Sequence, residues 1–261
     1  MPAYRRALIT GATGGIGGAF ARQLPPRTDL LLTGRNAERL DEQARQLARH
    51  GRRIETMTAD LTREADRDRL VASARDFAID LLVNNAGTGR FGRFIDSPGE
   101  VEQQTVLLNV VAVVDLTRRL LPEMLTQARA SRHRAGLIIV GSAAGFAPVP
   151  MFATYAASKA FDLQFTEALA EELHDEPIDV VALCPGPTRT DFGPRAGWRG
   201  VGIPGAADAD DVAAAGLAAL GRKTVCVGGR LNGAVLAPVV APRRVVAGAL
   251  GVALRFVAGR H

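Results

Sequence analysis

The sequence predicts an α/β fold, a doubly wound (Rossmann) parallel sheet of about seven strands with helices on both faces. Three observations predict it. Short runs rich in leucine and β-branched residues recur along the chain, they are almost continuously apolar, and an amphipathic segment of helical period separates most of them. Continuous apolar runs suit strands covered on both sheet faces. Strand–helix alternation makes right-handed βαβ units, which build a parallel sheet. The 261 residues suit one domain over 1–261.

The first strand, residues 6–10, runs into Thr10-Gly11-Ala12-Thr13-Gly14-Gly15-Ile16-Gly17, and a helix over 16–23 follows. A glycine turn between a first strand and its helix is the context of a dinucleotide fingerprint. Gly11 permits the tight turn, Gly15 lets backbone approach a pyrophosphate, and Gly17 allows close helix–strand packing. The helix N-terminus presents unpaired N–H groups to phosphate. A second strand over 29–33 ends at Gly34 and Arg35. An NAD site wants an acidic group near this point to take the ribose diol. An arginine fork instead suits a 2′-phosphate, so NADP (NADPH) is favoured and NAD is the alternative.

The remaining elements follow in the same rhythm. A helix over 38–50 precedes a third strand at 53–58, and Asp60-Leu61 leads to a helix over 64–77. A fourth strand at 80–84 ends in Asn84-Asn85-Ala86-Gly87, and one long helix is expected over 101–130. The fifth strand, 136–141, runs into Ser142, and the helix after it, 153–174, carries Tyr155 and Lys159. A sixth strand at 179–184 opens a Gly-, Pro- and Arg-rich stretch at 186–207 without periodicity, read as a mobile substrate loop. A helix over 208–221 and a strand at 224–227 complete the sheet. The apolar tail is broken by Gly248, Gly251 and Arg255, too short a run to span a membrane. Residues 243–261 are expected as a helical tail, docked on the body or in a dimer contact, with peripheral membrane contact the lesser alternative.

Composition narrows the function classes. The net charge of +5 is arginine's almost entirely, since Lys159 and Lys223 are the only lysines. The arginines are scattered among Asp and Glu on the predicted helices, a solvated-face pattern without the basic stripe or interleaved aromatics of a nucleic-acid surface. Cys184 and Cys226 lie in apolar strands without metal-ligand spacing and read as buried thiols. No metal site is expected. The N-terminal residues enter a strand directly, with no signal-peptide apolar region, so a cytoplasmic location is expected.

Tyr155 and Lys159 stand four residues apart on a helix and share one face. Lys159 is thereby placed to bring its ammonium beside the Tyr155 phenol, whose pKa is otherwise about 10. A nearby cation favours phenolate, which suits a proton donor and acceptor working near neutral pH.

Taken in order, these residues resemble the short-chain dehydrogenase/reductase family, in its shorter, single-domain branch. The resemblance runs from Arg6 to about Asp191. It implies an adenine contact at Asp60-Leu61 and a sheet-steadying, cofactor-lining role for Asn85, Ala86 and Gly87. It implies that Asn109 holds a water in a proton relay, and that Ser142, Tyr155 and Lys159 are catalytic. Lys159 would also bind the nicotinamide ribose. Pro185, Gly186, Thr188 and Thr190 would grip the nicotinamide carboxamide. With Gly11, Thr13, Gly15, Ile16, Gly17 and Arg35 these make the expected cofactor set.

The implied reaction interconverts a small-molecule carbonyl and an alcohol. Phe94, Phe146, Phe192 and Trp198 are candidate substrate contacts, with Met151 a neighbour. The family usually forms homodimers or homotetramers through its fourth and fifth helices, here 101–130 and 153–174. The same glycines also read as Gly11, Gly14 and Gly17, the spacing of the extended branch of sugar-nucleotide epimerases and dehydratases. Chain length and Asn84-Asn85-Ala86-Gly87 favour the shorter branch. A non-catalytic, cofactor-sensing Rossmann module is the other alternative, though Ser142, Tyr155 and Lys159 are all present. The stretch from Asn85 to Gly92, and Val227-Gly228-Gly229-Arg230-Leu231-Asn232 with Pro242-Arg243, look similar to a bacterial subgroup related to 3-oxoacyl and hydroxysteroid reductases.

Overall fold

The computed structural model describes residues 4–48, 51–198 and 205–228. The expected tail at 243–261, most of the 227–232 motif and Pro242-Arg243 lie outside the described residues. The last two residues of the predicted 38–50 helix, His50 among them, and part of the 186–207 loop do so too.

Seven strands form one parallel sheet: β1 (Arg6–Thr10), β2 (Asp29–Gly34), β3 (Ile54–Thr58), β4 (Leu81–Asn84), β5 (Ala135–Val140), β6 (Ile178–Pro185) and β7 (Val225–Gly228), in the order β3-β2-β1-β4-β5-β6-β7. The order reverses between β1 and β4. In open α/β sheets ligands bind beyond the carboxyl ends of the strands at such a switch point.

Strand alternation feeds two cores. On β1, Ala7 and Ile9 point to one face and Leu8 to the other. The first core takes α1 (Gly15–Gln23), α2 (Ala37–Leu47) and α8 (Ala209–Ala219) through Phe20, Leu40 and Leu217. The second takes α3 (Glu64–Asp76), α5 (Ala112–Ser131) and, through Phe165 and Leu169, α6 (Ala153–Glu172). Full burial of Phe20 contributes roughly 1.5–3 kcal/mol. Gly216 lets it in, for a Cβ there would stand 3.1 Å from the Phe20 ring.

Polar staples fix the layers at the amino end of the sheet. The Tyr4 hydroxyl donates to Asp179 at 3.1 Å, and Arg134 pairs with the same carboxylate at 2.6 Å. Beyond the carboxyl end of β3, the buried Arg67 joins α3 to α5 through Asp115 at 2.7 Å and bonds the Leu61 carbonyl at 2.9 Å.

One expectation needs correction. The helix read as a single run over 101–130 divides into α4 (Gly99–Val106), a π-helical turn at Leu107–Val111, and α5. Nearly every residue from Val106 to Val114 is apolar, so a phase shift there leaves no mark in the periodicity, and such turns concentrate at functional sites. The described part of the loop after β6 holds the short helix α7 (Phe192–Arg195), and Thr188 bridges to Ala207 at its base.

Candidate active site

The carboxyl ends of β1, β2, β4, β5 and β6 bring most of the predicted residues to one edge of the sheet. In the first turn Gly11 has φ +66° and Gly15 φ +54°, the left-handed conformation that glycine adopts at no steric cost. Thr13 lies against Gly34, where a Cβ would meet its methyl at 2.7 Å, and Thr190 lies over Gly15 with its methyl 3.2 Å from such a position. Helix α1 starts at Gly15 with no side-chain cap, so its first N–H groups await a partner. Ile16 is partly buried against the first core, and Arg35 is exposed beyond β2.

The end of β4 is bolted to this turn. The Thr10 hydroxyl accepts from the backbone N–H groups of Asn85 and Ala86, both at 2.9 Å. The Asn85 side chain donates to the carbonyls of Thr10 and Gly11 at 2.8 and 3.2 Å. Asn84 donates to Thr117 at 3.0 Å, tying the strand to α5.

Asn109, fully buried at 0% exposure in the π-turn, grips the next residues. Its Oδ1 accepts from Thr88 N–H at 2.9 Å, and its Nδ2 donates to Thr88 O and Ser158 Oγ at 2.8 and 2.9 Å. With both amide hydrogens spent, the side chain braces the 85–89 segment. Asp60 is likewise engaged: its Oδ1 accepts from the Thr62 N–H and hydroxyl, an Asx turn that leads into α3. Leu61 is buried in the second core.

Ser142 follows β5 in extended conformation and accepts from Ala144 N–H at 3.1 Å. This bond uses an oxygen lone pair and leaves the O–H free to donate. Tyr155 and Lys159 project from the first turns of α6 and border the 85–89 segment from the other side. A Cβ at Gly87 would stand 3.5 Å from Lys159 Nζ and 3.4 Å from Asn109 Oδ1, and one at Gly89 would stand 2.7 Å from the Tyr155 ring.

Lys159 is 4% exposed and donates to Val140 O and to Asp162 Oδ2, each at 2.9 Å. Burial works against its charge. Asp162 first and Tyr155 next work for it, and the lysine is lifted above its ordinary range. Burial also lifts the Asp162 carboxyl above the usual carboxylate range, against the pull of Lys159.

The predicted aromatic residues divide. Phe192 stands 5.1 Å from the Tyr155 ring, centre to centre, and Trp198 meets Phe91 edge-on at 4.6 Å. Phe91 contacts Phe152 at 5.2 Å and Phe152 contacts Tyr155 at 5.5 Å, so the rings run Trp198, Phe91, Phe152, Tyr155, Phe192. Phe94 is 61% exposed on a short 3-10 turn, and Phe146 packs on the core of Leu163, Ala182, Cys184 and Val225. Neither makes a ring contact among the described residues. Phe152 was readable from its i,i+3 spacing to Tyr155. Phe91 was not, since a loop carries no period. Pro185 ends β6, Thr188 donates to Gly186 O at 2.9 Å, and Thr190 accepts from Phe192 N–H at 3.3 Å. No group of three or more His, Cys, Asp or Glu gathers as a metal site among the described residues.

A protein-family model described as short chain dehydrogenase matches residues 5–197. The human protein named "Dehydrogenase/reductase SDR family member 4" is 34% identical over 194 residues, 73% of this chain and 68% of that one. Matches of this kind span about two thirds of the curated relatives' length. Among solved structures, a short-chain dehydrogenase from Sphingobium yanoikuyae in complex with NADPH is 33% identical. It superposes with a TM-score of 0.76 over 85% of this chain and 87% of that one. A bulky-bulky ketone specific alcohol dehydrogenase from Comamonas testosteroni is 28% identical, with a TM-score of 0.73 and 86% of each chain covered.

Proposed function

The chain belongs to the short-chain dehydrogenase/reductase family, and on that premise we propose that it interconverts a carbonyl and an alcohol with a nicotinamide dinucleotide, NADP(H) before NAD(H). The observation that carries this reading is the meeting of Tyr155, Lys159 and Asn109 around the 85–89 segment, beyond the strand ends. The turn residues fit a dinucleotide. A Cβ at Gly14 would meet nothing within 4 Å, Gly15 takes φ +54°, and α1 presents uncapped N–H groups. Arg35, exposed at the end of β2 with no acidic neighbour before it, favours a 2′-phosphate. The Sphingobium relative is described with NADPH.

When bound, the nicotinamide supplies the hydride chemistry. The chain's part is to orient substrate and move a proton. Ser142 keeps its hydroxyl hydrogen for the substrate oxygen, because the Ala144 N–H already occupies a lone pair. Tyr155 gives a proton to that oxygen in reduction and takes one in oxidation. Lys159 uses two of its three N–H groups on Val140 and Asp162. The third is available to a ribose hydroxyl. Asn109 keeps the 85–89 wall in place; a relay water there is left its backbone carbonyl or the second lone pair of Oδ1.

The row of rings supports a substrate with a bulky apolar group beside its carbonyl, gathered under α7 and Trp198. The Comamonas relative is described as specific for bulky-bulky ketones. Val106, Val111 and Phe161 are exposed apolar residues on and between α4 and α6 and support self-association. No helix among the described residues is long and apolar enough to cross a membrane, and we propose a cytoplasmic location.

The test is NADPH depletion across a panel of ketones, aldehydes and 3-oxoacyl thioesters, with Tyr155→Phe alongside. General acid–base catalysis contributes about 100- to 10,000-fold. The variant should lose turnover on that scale while its fluorescence titration with NADPH stays within about twofold. Equal losses in turnover and affinity would remove Tyr155 from the proton-transfer role.

A further inference from the structure

Asp162 stands one helical turn beyond Lys159, 1% exposed, and no part of the proposed reaction uses it. One carboxylate oxygen takes the Lys159 ammonium at 2.9 Å, and the other, Oδ1, is buried with no hydrogen-bond partner among the described residues. A half-satisfied buried carboxylate is a costly arrangement that an apolar side chain of similar size would avoid. Such features concentrate where a charge is wanted for chemistry.

We propose that Asp162 is a positioning residue of this site: its carboxylate pins the Lys159 ammonium toward the 85–89 wall and keeps it charged inside the protein. The relevance to catalysis rests on the oxidoreductase reading above, but the electrostatic claim does not. Lysine in a buried site tends to lose its proton, by up to about 3–5 pH units when fully buried. The groups facing Lys159 are Asp162 and Tyr155 on α6 and Cys184 on β6. Burial pushes the Cys184 thiol up to about 12, so it stays neutral. Residues of β5 and of the 3-10 turn after it offer no titratable side chain, and Glu100 and Glu102 of α4 make no hydrogen bond or ion pair with Lys159. Glu167, further along α6, acts on Cys184. Among the described residues Asp162 is the carboxylate that bonds the ammonium and does most to sustain its charge.

The chain's two lysines make a direct test practical. With 13C at lysine Cε, the spectrum holds Lys159 and the exposed Lys223, which serves as the internal reference and is assigned by Lys223→Arg. In Asp162→Asn, which keeps shape and an acceptor but loses the charge, the Lys159 signal should titrate about 3 pH units lower than in the wild type. In the same variant the acid limb of alcohol oxidation should move to higher pH, with kcat falling more than KM rises.

An unmoved Lys159 titration, or a limb that moves to lower pH, overturns the proposal. A Lys159 shift in a protein without any carbonyl or alcohol turnover leaves the Asp162 assignment standing and sinks the oxidoreductase reading instead. Should Asp162→Asn not fold, the wild-type titration decides. Lys159 still charged above the ordinary lysine range supports the assignment, and titration within or below that range overturns it.

Discussion

The ring of Tyr155 lies on the backbone of Gly89, so that a Cβ at residue 89 would stand 2.7 Å from Cδ2 and 3.0 Å from Cγ. The atoms met are at the root of the side chain, close to α6, and cannot swing aside without the helix. A Cβ at Gly87 would meet Lys159 Nζ and Asn109 Oδ1 at 3.5 and 3.4 Å, ordinary van der Waals distances that require neither to move. The two glycines of one segment thus tolerate change very differently.

Gly89→Ala should therefore displace the phenol. A misplacement near 1 Å costs about 100-fold in rate when a reacting group must be aligned. Turnover should fall by one to two orders of magnitude on that basis, while NADPH affinity stays within about twofold. Gly87→Ala should lose much less. Steady-state kinetics and NADPH titration on both variants make the comparison, and a Gly89→Ala enzyme with full turnover would show that the ring moves freely.

Arg35 carries the cofactor preference. It is exposed and follows Gly34, so nothing acidic stands where a ribose diol would be read. Charge-assisted contacts of arginine to phosphate are worth about 1.5–3 kcal/mol. Arg35→Ala should then weaken NADPH about 10- to 100-fold and leave NADH nearly unchanged. Equal weakening of both dinucleotides, measured by fluorescence titration, would remove the case for the phosphate.

The sheet was legible because most of its strands are continuously apolar, as strands covered on both faces are, and strand–helix alternation makes it parallel; the strand order came only with the structure. The glycine turn was legible too, since Gly11 and Gly15 do need positive φ. What periodicity could not show was the π-turn at Leu107–Val111, because almost every residue from Val106 to Val114 is apolar and a shift of phase there leaves the pattern unchanged. Aromatic residues in loops were the other blind spot. Phe94 and Phe146 were named and Phe91 was not, and only tertiary contact separates an exposed ring and a core ring from one that joins the row through Phe152 to Tyr155. Asp162 escaped notice for a different reason: an acid on a helix reads as solvated until burial is known.

Stability at alkaline pH depends most clearly on two buried neutral acids, Cys184 and Tyr4. Burial pushes the Cys184 thiol up to about 12 from an ordinary value near 9. Burial, then the Asp179 charge and hydrogen bond, pushes the Tyr4 phenol above its usual range. Both groups keep their protons longer in the folded state than in the unfolded one. Their contribution is complete below the unfolded values, near 9 for the thiol and near 10 for the phenol, and is lost as pH rises beyond them. Each such group tilts the unfolding free energy by about 1.4 kcal/mol per pH unit. Cys226 is raised by burial as well and adds in the same direction. Between pH 9 and 10 the slope belongs to the thiols before Tyr4 joins. Urea unfolding under reductant at pH 8, 9 and 10 should show stability falling with pH, with a slope shallower by about 1.4 kcal/mol per unit in Cys184→Ala. Tyr4→Phe should leave that interval unchanged and flatten the slope only above pH 10. A Cys184→Ala slope equal to that of the wild type would place the thiol in water in the folded protein, against its burial between β6 and α6.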